Sequence, residues 1–192
     1  MSLRTVFAFL CSVTIGLLAT NASAAGQEPG WFSRQWDAAS TEVKTVADEG
    51  KWDFYEPVYA WHLPYAYNSG QREKYNNTPW PAFGIGKGRY DEKGNRSSLY
   101  AMGYIDSNDK WSANVGYGYS WQYGQRHGFN YGLGYTVGLM TREDYFNRVP
   151  FPFILPTASL GYDNYKVETG YVPGVKKGTG NILFIWLKYE LK

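Results

Sequence analysis

The sequence predicts an all-β fold, an eight-stranded antiparallel transmembrane β-barrel preceded by an N-terminal amphipathic helix. Three observations predict it: a leading segment with the character of an export signal, a change of hydrophobic period from 3.6 to 2 after Gly50, and strands in which bulky residues alternate with glycine and small polar ones. The expected division is a cleaved signal peptide over 1–25, an interfacial helix over 26–50 and the barrel over 51–192.

Arg4 supplies a positive n-region, Val6 to Leu18 an apolar core, and Ala22-Ser23-Ala24 the small side chains of a cleavage site after Ala24 or Ala25. That core is shorter than the roughly 20 residues of a spanning helix, so export with cleavage is the expectation. Cleavage would remove Cys11, the only cysteine, and with it any disulfide, thiol nucleophile or thiolate metal site. It would also remove Arg4, leaving 18 of the 19 basic residues against 17 acidic ones, a net charge near +1. No basic footprint of a nucleic-acid binder results. The chain is 19% aromatic, with 18 Tyr and 8 Trp, yet its mean hydropathy is −0.46. A membrane barrel reconciles the two, because only alternate strand residues face lipid.

Between Gly30 and Gly50, Phe32, Trp36, Ala39, Val43 and Val46 follow one another at steps of four, three, four and three, which is one face of a helix. Arg34, Asp37, Glu42 and Lys44 occupy the other face, and Gly50 is a stop signal. Such a helix either packs on a soluble core or lies at a membrane interface with Trp31 and Trp36 among the headgroups.

Eight strands are predicted, over 53–67, 80–91, 97–106, 111–123, 127–140, 151–162, 165–173 and 181–191. Asp91-Glu92-Lys93-Gly94-Asn95 is a tight hairpin connection, and other turns fall at 106–110, 124–126 and 174–180. In the fifth strand Phe129, Tyr131, Leu133, Tyr135, Val137 and Leu139 share one face, and Asn130, Gly132, Gly134, Thr136 and Gly138 the other. Val115, Tyr117, Tyr119 and Trp121 alternate likewise with Asn114, Gly116, Gly118 and Ser120, while Gly84, Gly86 and Gly88 repeat the small positions. Rows of Tyr and Trp do not fit the lumen of eight strands, which ordinary side chains already fill. The bulky face is therefore expected outward, against lipid, and the glycines inward around a cavity for a ligand.

Only two histidines exist. His127 lies in the polar turn Gln125-Arg126-His127 and is expected to face solvent, whereas His62 follows Trp61 within a strand. Asp106-Ser107-Asn108-Asp109-Lys110 is ordinary turn chemistry taken alone. Together, His62, Asp106 and Ser107 hold a base, a carboxylate and a hydroxyl, the ingredients of acyl transfer, although no nucleophile elbow marks a triad. No metal-ligand spacing is present, and no metal or cofactor is expected.

The runs Tyr59-Ala60-Trp61-His62, Tyr75-Asn76 with Pro79-Trp80, Asp91-Glu92-Lys93-Gly94-Asn95, Leu99-Tyr100-Ala101-Met102, Asp106-Ser107 with Lys110-Trp111, Gly116-Tyr117-Gly118, Leu155-Pro156 with Ala158-Ser159 and Gly161-Tyr162, and Tyr171-Val172-Pro173-Gly174 resemble the PagP-type lipid A palmitoyltransferases. The resemblance runs in order through nearly all of the chain after its leading segment. It implies an outer-membrane barrel that moves a palmitoyl chain from a glycerophospholipid donor to lipid A of lipopolysaccharide. It also implies a catalytic histidine at His62, an aspartate–serine pair at Asp106 and Ser107, and an acyl-chain pocket floor at Gly118. The prolines that interrupt strand pairing and give lateral lipid access fall on Pro57, Pro79, Pro156 and Pro173.

The chain departs from the family pattern at three places. A lysine tied to acceptor recognition aligns with Gln71, with Arg72 beside it, and a gating tyrosine aligns near Lys176 in a loop one residue longer. The chain ends Glu190-Leu191-Lys192 where such barrels usually end in an aromatic residue. The expected partners are the phospholipid donor and lipid A, in the outer membrane, with no nucleic acid and a monomeric barrel. The rival reading is a non-enzymatic structural or adhesive outer-membrane barrel.

Overall fold

A computed structural model describes residues 30–143, 146–174 and 177–191. The expected signal peptide and Lys176 lie outside them. The chain divides into two compact units, residues 1–45 and 46–192. Helix α1 (Trp31–Glu49) begins in the first and ends in the second. Its apolar stripe is exposed at Trp31, Phe32, Trp36 and Val43, while Val46 is fully buried. Gly50 closes the helix as expected: its N–H donates to the Val46 carbonyl at 2.9 Å. A Cβ there would stand 2.3 Å from that oxygen, so only glycine fits the stop.

The second unit is a closed antiparallel barrel in the order β1 to β8, with β8 returning to β1. The strands are β1 (Lys51–His62), β2 (Phe83–Tyr90), β3 (Arg96–Ile105), β4 (Trp111–Gly124), β5 (Phe129–Thr141), β6 (Phe151–Tyr162), β7 (Tyr165–Val172) and β8 (Ile182–Glu190). All eight are where the period-2 pattern puts them, and the bounds differ most at the end of β1 and the start of β2. β1 ends at His62 instead of 67, because Pro64 cannot donate to a ladder and Leu63 opens a turn that accepts from Ala66 and Tyr67. β2 starts at Phe83 instead of 80, just after Pro81.

The connection after β1 holds an element that the periodicity did not predict, helix α2 (Ser69–Tyr75). Asn68 caps it by accepting from the Gln71 N–H at 2.9 Å, and the Gln71 side chain accepts from the Asn68 N–H at 3.1 Å. This reciprocal capping box stabilises a helix too short to persist on its own.

The alternation points the way expected. Phe129, Tyr131, Leu133 and Leu139 are exposed on the outer wall, and Asn130 and Thr136 are buried inside. Across the β4–β5 ladder Val115 pairs with Leu139 and Tyr119 with Tyr135 on the outside, Gly116 with Gly138 and Gly118 with Thr136 on the inside. The glycines do not all open space, however. A Cβ on Gly134 or Gly138 would come within 2.0 Å of a carbonyl in β4, and Gly116 is covered by the Tyr100 ring. Most of the inward glycines therefore permit close strand approach or a crossing side chain, and Gly118 is a different case taken up below.

Two layers fill the lumen. Tyr55, Ala82, Met102, Tyr104 and Trp186 form an apolar cluster, with Tyr100 and Phe184 packed on it. A layer of charge adjoins it: Arg96 pairs with Asp53 at 2.5 Å and Glu190 at 3.1 Å, Lys188 pairs with Glu168, and Lys166 lies 3.6 Å from Glu190. Tyr90 donates to Glu190 at 2.7 Å. Glu190 near the C-terminus faces the lumen and compensates cations that would be costly to bury unpaired.

Candidate active site

His62 is the last residue of β1, 3% exposed, and is held by the segment that follows α2. Asn76, the C-cap of α2, donates its own N–H to the Arg72 carbonyl at 2.9 Å. Its side-chain oxygen accepts from the His62 backbone N–H at 2.7 Å and stands 3.1 Å from His62 Nδ1. Tyr67 packs edge-on against the imidazole at 4.8 Å between centroids, and Tyr75 packs on it tilted by 38° at 5.7 Å. The next residue, Asn77, extends the staple. Its carbonyl accepts from the Ala60 N–H at 3.0 Å, its amide donates to the Asp106 carbonyl at 3.1 Å, and its side-chain oxygen accepts from Ser107 at 3.4 Å. The pair Asn76-Asn77 therefore ties the His62 strand to the Ser107 turn.

Asp106 is 4% exposed and its carboxylate serves its own turn. Oδ1 accepts from the Asn108 and Lys110 N–H groups at 2.8 and 3.2 Å, Oδ2 accepts from Ser112 at 2.9 Å, and Arg142 stands 3.9 Å away. The same bonds recur in the β2–β3 hairpin, where Asp91 Oδ1 accepts from Lys93 and Asn95, so Asp106 is built as a turn-forming aspartate. Asp109 completes the turn with φ 60°, a left-handed conformation that a short carboxylate side chain tolerates. What the turn presents is Ser107.

His62, Asp106 and Ser107 line one cavity of about 420 Å³. Its upper wall is polar, with Asn77, Asn114 and Arg142; its depth is apolar, with Met102, Phe153, Leu155, Phe184 and Trp186. The Tyr100 ring crosses the lumen at its inner end and is hydrogen-bonded to Thr136 at 2.6 Å. Beyond it lies a smaller cavity of about 30 Å³ that holds Gly118 and shares Tyr100, Met102, Thr136 and Trp186 with the larger one. A Cβ on Gly118 would meet Ser98 Oγ at 2.9 Å and otherwise face space. Arg96, Glu168 and Lys188 of the charged layer close this compartment.

Two of the four prolines, Pro57 and Pro156, stand beside interruptions of the ladder. Pro57 is fully buried at a register shift in the β1–β8 pairing, and β1 pairs with β2 only as far as Tyr55 opposite Gly84. Pro79 is fully buried and lines the large cavity. The β6–β7 pairing begins at Thr157 opposite Gly170, so Pro156 lies just outside it, and Pro173 follows the end of β7. On the outer wall a groove of about 910 Å³ runs from Trp80, Phe83 and Trp111 to Ala82 and Tyr55 of the core. Gln71 is spent on the α2 capping box, which gives the departure from lysine a local reason, and Arg72 lies on the same helix. His127 is in an exposed turn, 3.3 Å from Asp163.

Sequence reasoning missed Asn76 and Asn77 as parts of the site. The signal that could have found them is the capping box Asn68-Ser69-Gly70-Gln71, which starts a helix ending beside His62.

A family model described as "Antimicrobial peptide resistance and lipid A acylation protein PagP" matches residues 42–188. "Lipid A acyltransferase PagP" of Cronobacter sakazakii is 36% identical over 191 residues, covering 98% of this chain and 96% of the relative. The protein of the same name from Enterobacter lignolyticus is 40% identical over 161 residues, 82% of this chain and 83% of the relative. That of Salmonella typhi is 33% identical over 192 residues, 99% and 97% of the two chains.

Proposed function

The chain belongs to the PagP family and acylates lipid A, and from that premise we propose that it takes a palmitoyl chain from a glycerophospholipid in the outer membrane, with His62 as base. The observation that carries this reading is the single cavity lined by His62 and Ser107 at one end and by apolar side chains in its depth. An acyl chain lying along that depth brings its ester to the polar rim.

His62 takes the proton of a lipid A hydroxyl, whose oxygen attacks the ester carbonyl carbon. The Ser107 hydroxyl donates to the oxygen that gains charge. Its present bond to Asn77, at 3.4 Å, is long and readily exchanged for a carbonyl oxygen. The bond from carbonyl carbon to the donor's glycerol oxygen then breaks, and that oxygen leaves as the lysophospholipid hydroxyl with the proton from His62. Ser107 donates to Asn77, which favours the positioning role over a covalent nucleophile. Asp106 contributes by shaping the turn that carries Ser107 and by its charge near Arg142.

Membrane residence is supported by the exposed aromatic wall and by the uncovered stripe of α1, both suited to lipid and headgroups. The ladder gaps beside Pro57 and Pro156 supply the lateral routes by which donor and acceptor enter. Arg72 and Lys176 are assigned to acceptor recognition or gating, and the barrel acts as a monomer. The test is transfer of palmitate between phospholipid and lipid A by purified protein: His62→Ala and Ser107→Ala are expected to lose about 10²–10⁴ in kcat. Full activity in either variant contradicts the assignment.

A further inference from the structure

The Asp106 carboxylate is engaged in its own turn, and an amide oxygen, that of Asn76, stands beside the His62 ring. A backbone N–H can only donate, so the Asn76 atom 2.7 Å from the His62 nitrogen must be the amide oxygen. The same oxygen lies 3.1 Å from His62 Nδ1 and has no hydrogen to give. That contact is a hydrogen bond only if Nδ1 carries the proton. The lone pair of the neutral ring then resides on Nε2, the nitrogen that Asn76 leaves free.

Resting on His62 as the base of the proposed reaction, we propose that Asn76 is a positioning residue that fixes the Nδ1–H tautomer of His62 and so makes Nε2 the proton acceptor. Three further features hold the amide in place. The backbone N–H of Asn76 is anchored to Arg72, α2 is locked at its other end by the Asn68–Gln71 box, and Asn77 is bonded to both Ala60 and the Asp106 turn. Tyr67 and Tyr75 pack on the ring and restrict its rotation. The imidazole also has a backbone hydrogen bond to Ala60, and Arg142 adds a positive charge near it. A free histidine side chain in water prefers the other tautomer, so the assignment has a directly measurable content.

Two histidines make the measurement simple, and His127→Asn, outside the site, assigns the signals. In protein folded in detergent and labelled with 15N-histidine, at a pH where the ring is neutral, the unprotonated His62 nitrogen is expected to couple to both Hε1 and Hδ2, the pattern of Nε2. Asn76→Ala is expected to shift the ring toward Nε2–H and to lower kcat by between about ten- and 10⁴-fold, the upper figure being the cost of a wrong tautomer in a serine protease. KM should change much less. Asn76→Asp, which keeps an acceptor at the same place, should restore Nδ1–H and recover kcat relative to Asn76→Ala. A wild-type ring protonated at Nε2, or an Asn76→Ala ring and kcat equal to wild type, overturns the proposal. The tautomer is read without substrate: Nδ1–H in the wild type with a fully active His62→Ala would contradict the base assignment and not the hydrogen bond.

Discussion

Gly118 lies in the small compartment beyond the acyl-chain cavity and Asn76 lies against the histidine at its rim, and each is decided by a few atoms. Gly118 has no Cβ in a compartment of about 30 Å³ bounded on one side by Tyr100 and on the other by ionised side chains. Acyl methylenes gain nothing by approaching that charge, so the charged layer sets an inner limit to the apolar pocket. A methionine in place of Gly118 fills the compartment and pushes on Tyr100. Gly118→Met is expected to shorten the preferred acyl chain, each excluded methylene costing about 0.8 kcal/mol, or about fourfold in preference. Competition between donors of different chain length, read by mass spectrometry of the product, checks this; an unchanged preference would detach Gly118 from the pocket. The in-phase glycines were legible in the sequence, but their reasons were not. Gly134 and Gly138 stand against β4 backbone and Gly116 under a tyrosine, relations that depend on interstrand geometry and on a side chain from another strand.

Among the elements, the strands were legible because lipid on one side and a packed lumen on the other impose a strict period of 2. The ends of β1 and β2 were overextended where Pro64 and Pro81 remove ladder donors. Helix α2 has no apolar stripe to reveal it: Ser-Gly-Gln-Arg-Glu-Lys-Tyr is polar throughout, and only its cap identifies it. Because that cap is its main local support, Asn68→Ala is expected to cost α2 about 1 kcal/mol. Amide exchange over residues 71–76 should then accelerate about fivefold while the barrel strands remain unchanged. Unaltered exchange there would mean that α2 is held by something other than its capping box. The link to chemistry is Asn76, which ends this helix and touches His62.

For the molecule as a whole, the alternation turns a chain of negative mean hydropathy into a barrel with an apolar exterior. The interior divides the work: a charged layer closes one side of the lumen, an apolar pocket adjoins it, and a polar rim carries His62 and Ser107. The charged layer was not legible, because Asp53, Arg96, Lys166 and Glu190 are scattered along the chain and meet only when the barrel closes. The rim was legible only in part, since resemblance supplied His62 and Ser107 but not the two asparagines that join them. The direct test of the central claim is mass spectrometry of lipid A from cells with and without this protein, folded in the outer membrane in both wild-type and His62→Ala forms. One added palmitoyl group with the wild type alone is the predicted result. An unchanged lipid A with wild-type protein present, or the same addition with His62→Ala, would contradict it.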